Sequence, residues 1–198
     1  MVFKNLALGA ALILAVGSTT AAAQTQAQDD VYALSYFSNA NTKGAPDAAL
    51  RVVNDGFVSD ASPAGDLCAS VYVFDTREEL SECCSCKITP NGILSLSVDK
   101  NLTSSPLIGI TLTRGIVKVV SSFPVAGHCD PTTDQEQEGI RGWITHVQKA
   151  TTGYSLTEEE LMDSHLGTAE AADLAEDCKV IQELASGWGD CSCTDSGQ

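Results

Sequence analysis

Beyond its first twenty or so residues the chain has no apolar run of about twenty residues, the length needed to cross a bilayer as a helix. It is also poor in positive charge. Eleven Lys and Arg stand against 26 Asp and Glu, a formal charge of −15. Losing Lys4 with an N-terminal leader would make it −16. Such a chain repels nucleic acid and anionic membrane surfaces and favours solubility. Reaction-centre motifs are missing. There is no Gly-x-Ser-x-Gly elbow and no His-Glu-x-x-His, and only three histidines occur, His128, His146 and His165. The lone Cys-x-x-Cys spacing, Cys83 to Cys86, has a third cysteine inside it and is not read as a thiol–disulfide redox pair, and the two-knuckle zinc spacing is absent. Nothing in the pattern calls for a cofactor.

What is there begins with an export signal. Lys4 supplies a positive start, Leu6 to Gly17 an apolar stretch too short to span a membrane, and Ala21-Ala22-Ala23 the small side chains a signal peptidase accepts. Cleavage after Ala23 is expected, leaving residues 24–198 as one secreted domain, with 24–30 a polar, flexible start. The expected location is extracellular or periplasmic.

All eight cysteines follow the signal: Cys68, Cys83, Cys84, Cys86, Cys129, Cys178, Cys191 and Cys193. In an oxidising compartment they pair. Four bridges can be drawn in about a hundred ways. Neighbours such as Cys83 and Cys84 bond each other only under strain, so they are expected to reach outward. The economical scheme links the 83–86 cluster to Cys68 and to the Cys191/Cys193 tail, and Cys178 to Cys129. The rival reading is a metal site. Cys83, Cys84, Cys86, His128, Cys129, Cys191 and Cys193 offer soft ligands for zinc or copper, although export favours oxidation over free thiolates.

Strand-forming runs recur at Val31–Phe37, Leu50–Asn54, Cys68–Phe74, Leu94–Val98 and Trp143–Gln148, with a further start at Tyr154–Leu156. Cys68–Phe74 is apolar on both faces, as in a central strand. Ile108 to Val120, with Arg114-Gly115 inside it, reads as a β-hairpin. Within Thr76 to Cys86, Arg77, Glu78, Glu79, Leu80 and Glu82 read as a short helical turn ahead of the cysteine cluster. Thr157 and Glu160 fit a capping box, so residues 157–187 read as a helical C-terminal part. Its main helix is expected from about Ala169 to Ser186, with Leu174, Cys178, Ile181 and Ala185 as one apolar stripe and Gly187 as the stop. The fold class is therefore mainly β (α+β): an antiparallel, disulfide-stapled sandwich with C-terminal helices.

Polar features are weighed against plain solvation. Asp130, Asp134, Glu136 and Glu138 make an acidic loop with oxygen ligands suited to calcium, but without the EF-hand pattern. His146, on a strand beside Trp143, is expected at the surface. Asn101-Leu102-Thr103 is a glycosylation sequon.

Leu50–Asn54, Gly65–Asp75, Glu82-Cys83-Cys84-Ser85-Cys86, Ile88–Gly92, Leu102–Ser104, Val117–Val120 and the Cys191-Ser192-Cys193 tail together resemble a group of uncharacterised secreted bacterial proteins. The likeness spans about half the chain. It implies export and a shared scaffold, and brings no activity, substrate or site residue with it. With no reaction centre visible, the expected role is a non-catalytic binding or surface-associated module for an extracellular or periplasmic ligand. Trp143 and Trp188 are its candidate contacts. A metal-binding protein or a hydrolase without a known motif are the alternatives.

Overall fold

The computed structural model describes residues 31–194, apart from 57, 59, 61, 62 and 134. The expected signal at 1–23 and the polar start at 24–30 lie outside the described residues. Two antiparallel sheets pack face to face. The first takes the order β4-β3-β6-β1-β9, from Leu80–Ile88, Leu67–Phe74, Arg114–Ser122, Tyr32–Ser38 and Met162–Asp163. The second is β5-β2-β7-β8, from Ile93–Ser97, Ala49–Asn54, Ile140–Lys149 and Tyr154–Glu160. A π-helical turn, Val98–Leu102, follows β5, and an α-helix, α1, runs Thr168–Leu184. The protein is thus mostly antiparallel β with a C-terminal helix and four disulfides.

Alternation sets the layers. Leu50 and Val52 of β2, Leu94 and Leu96 of β5 and Ile144 of β7 turn inward to meet Val71, Val73, Val117 and Val119 of the other sheet. The opposite face of the first sheet is not left to water. Tyr32, Tyr72 and Val120 pack under Leu174, Cys178 and Ile181 of α1. This double burial explains why β3 is apolar throughout. Ala185, the fourth member of the expected stripe, is exposed and left-handed at φ 45°, and ends the helix two residues before Gly187.

Three expectations need correction. The turn expected over Arg77–Glu82 is not helical. Asp75 accepts hydrogen bonds from the backbone N–H groups of Arg77 and Glu79, closing a tight loop, and the chain returns as β4 alongside β3. Pairing with a buried neighbour outweighs the helix preference of the glutamates. Ile108 to Val120 is not a hairpin: only Arg114–Ser122 is a strand. Gly109, at φ +64°, breaks the run, and Ile108 and Ile110 are exposed. The capping box at Thr157 is not a helix start either. Glu158, Glu159 and Glu160 pair with Thr145, Ile144 and Trp143 as part of β8, so the helical part begins at Thr168.

No helix among the described residues is long and apolar enough to cross a membrane.

Candidate functional site

The densest chemistry lies where the tail meets β4. The backbone N–H of Cys83 donates to the Gly189 carbonyl, and that of Cys191 to the Cys83 carbonyl, at 2.8 and 3.2 Å. Asp190 thus bridges β4 in parallel, and the tail covers an edge that would otherwise offer itself for pairing. Gly189, at φ +90°, is required: a Cβ there would stand 2.6 Å from the Ile181 side chain.

Sulfur chemistry fastens this contact. Cys84 bonds Cys191 and Cys86 bonds Cys193, with Cα–Cα distances of 5.2 and 5.4 Å. Cys83 reaches the other way, to Cys178 of α1, and Cys68 bonds Cys129. The link between the cluster and the tail is as expected. The links from Cys68 to the cluster and from Cys178 to Cys129 are corrected. The reason is strand alternation: Cys83 faces the helix side of the sheet, while Cys84 is directed to the tail. No described cysteine is free. The wide metal set named from the sequence is therefore not brought together. Cys83 and Cys129 are drawn to other partners, while the sulfurs of Cys84, Cys86 and Cys193 lie within 4.8 Å of one another.

A buried carboxyl adjoins this region. Glu82 is fully buried; its Oε1 accepts from the Ser105 N–H at 2.8 Å, and its Oε2 has no hydrogen-bond partner. Burial, reinforced by the charge of Asp190, pushes its pKa up to about 7. No sequence signal pointed to it: one Glu beside cysteines carries no pattern.

A second candidate is a cleft of about 420 Å³ between α1 and the first sheet. Lys118 pairs there with Glu170 and sits 4.5 Å from the centre of the Phe74 ring. Burial, then the Glu170 charge, pushes the Tyr32 hydroxyl up to about 12. Burial and the charges of Asp173 and Glu176 raise Asp177. For Asp75, burial alone would raise the carboxyl, but the N–H groups of Arg77 and Glu79 and the Arg77 guanidinium hold it below its usual value. The cleft favours cations, and its one ammonium is already paired. A third cleft, of about 350 Å³, gathers His165, Glu136 and Glu138.

The other named residues separate. Trp188 is half exposed near the tail. Trp143 is partly exposed on the outer face of the second sheet, in a row with Arg51, Ser95 and Glu160. His146 is buried, not superficial: its ring lies 4.2 Å from that of Tyr36 and neither nitrogen has a hydrogen-bond partner. Asp130 accepts from the N–H and hydroxyl of Thr132, tying up one acidic-loop oxygen, while Asp134 lies outside the described residues. The sequon asparagine is closed to modification in the folded chain, since Asn101 is buried and donates to the Thr194 carbonyl.

No family model matches the chain, and no curated protein matches it. Among solved structures, the "Crystal Structure of Thermotoga maritima 1070" is similar over 69% of this chain and 97% of that one, at 11% identity and a TM-score of 0.43.

Proposed function

We propose that the protein is an exported, non-catalytic binding module, and that the open face of its second sheet is the contact surface. Export is supported by the leader-like start and by four bridges that need an oxidising compartment.

The observation that carries the site is the row Ser95–Arg51–Trp143–Glu160, one residue from each of four adjacent strands on one face. The long helix α1 lies on the first sheet and not on this one. Arg51 is held in place by its ion pair with Glu158. An indole plane flanked by an ordered guanidinium, carboxylates and hydroxyls suits a flat, uncharged, polyhydroxylated ligand of the saccharide class. The ring takes the C–H face and the polar groups take the hydroxyls. The strong negative charge of the chain opposes polyanions.

Affinity electrophoresis through gels containing neutral polysaccharides tests the reading. The wild-type chain is expected to be retarded by at least one of them, and Trp143→Ala to lose about tenfold or more of that affinity with an unchanged melting temperature. Absence of retardation across the panel, or equal retardation of the variant, would reject it.

A further inference from the structure

The sulfur cluster has a second state in reach. We propose that reduction of the Cys84–Cys191 and Cys86–Cys193 bonds converts this cluster into a four-thiolate site for a thiophilic d10 cation such as zinc.

The geometry is close to what such an ion needs. With Zn–S near 2.3 Å, tetrahedral sulfurs stand about 3.8 Å apart. The sulfurs of Cys84 and Cys86, which are not bonded to each other, already lie 4.0 Å apart, and Cys193 joins them within 4.8 Å. The bonded partners must separate within Cα–Cα distances of 5.2 and 5.4 Å, and the Cys191 sulfur, which lies outside the 4.8 Å group, must also swing toward Cys86 and Cys193 by side-chain rotation. Backbone hydrogen bonds hold the four in place alongside the sulfur bonds. The tail is registered on β4 by the Cys83–Gly189 and Cys191–Cys83 hydrogen bonds, and its far end by Ser192 N–H to the Asn101 carbonyl at 3.0 Å. Entry is open on one side. Cys193 is exposed and Cys84 partly so, while Cys86 and Cys191 are buried.

The chemistry balances with a dithiol as reductant. Each disulfide takes two electrons and two protons from one dithiol, which closes into its own disulfide. Four thiols result. On metal binding they release up to four protons to solvent, and each sulfur donates a lone pair to the ion.

The test uses the full chain, anaerobically reduced and then given zinc alone. The expected result is one zinc per chain, with alkylation slowed at Cys84, Cys86, Cys191 and Cys193 and unchanged at Cys68, Cys83, Cys129 and Cys178. Cobalt is expected to report the same site by thiolate charge-transfer and tetrahedral absorption bands. The variant C191S/C193S is expected to lose both the protection and the bands. Three outcomes would overturn the proposal: no zinc retained, protection spread over all eight thiols as in an unfolded chain, or the same spectrum in the variant.

Discussion

Cys84 and Cys86 stand on the same strand with their sulfurs 4.0 Å apart, yet each bonds the tail and neither bonds the other. Two rungs therefore tie one short peptide to another, and a third bond, Cys83–Cys178, ties the preceding helix to the same strand. The helix and tail are covalently part of the first sheet.

Nesting changes what each bridge contributes. A loop of 107 residues would by itself suggest roughly 4–5 kcal/mol for Cys86–Cys193. With Cys84–Cys191 intact, however, the second rung closes a ring of only a few residues, worth about 2 kcal/mol. Replacing Cys86 and Cys193 together with Ala is expected to cost about that smaller amount in urea denaturation. Removing both rungs is expected to cost more than the sum of the two single-rung losses.

Glu82 sets a pH dependence. Its folded pKa, about 7, lies above the ordinary 4.5. The folded state keeps this proton longer than the unfolded chain does. Its contribution to stability is whole below about pH 4.5 and is lost as pH rises through about 7, by roughly 3 kcal/mol. Wild-type stability measured at pH 5 and pH 8 is expected to fall over that interval, and Glu82→Gln to flatten the fall by about that amount.

Gly115 admits no side chain. A Cβ there would stand 2.1 Å from the Phe74 carbonyl oxygen and 2.8 Å from the Phe37 ring. Gly115→Ala is expected to destabilise by about 2–3 kcal/mol through forced strand separation. Thermal melting checks it.

His146 contributes ring packing against Tyr36 and two unsatisfied nitrogens, one of them 3.6 Å from Glu159. Buried polar atoms without hydrogen bonds cost roughly 1–3 kcal/mol each. His146→Phe keeps the ring and removes that cost. Its melting temperature is expected to equal or exceed that of the wild type, and a clear drop would mean that the imidazole holds a partner.

Strands whose residues alternate, or which are apolar throughout, were legible because burial writes its period into the chain: Leu94–Val98 and Cys68–Phe74 are the clearest cases. The α1 stripe was legible for the same reason. Segments whose state depends on a distant partner were not. The acidic run Glu158–Glu160 looks helical until β7 is beside it, and Arg77–Glu82 until β3 is. The tail's attachment to the cluster followed from neighbouring cysteines being unable to pair with ease, but the choice between Cys68 and Cys178 for Cys83 depends on which face each side chain takes. The burial of Glu82 and His146 had no sequence signature at all.

The most direct test is non-reducing peptide mapping of the oxidised protein. The expected result is four crosslinked pairs, Cys68–Cys129, Cys83–Cys178, Cys84–Cys191 and Cys86–Cys193. A peptide joining Cys178 to Cys129, or free thiols at Cys191 and Cys193, would contradict the covalent attachment of helix and tail to β4.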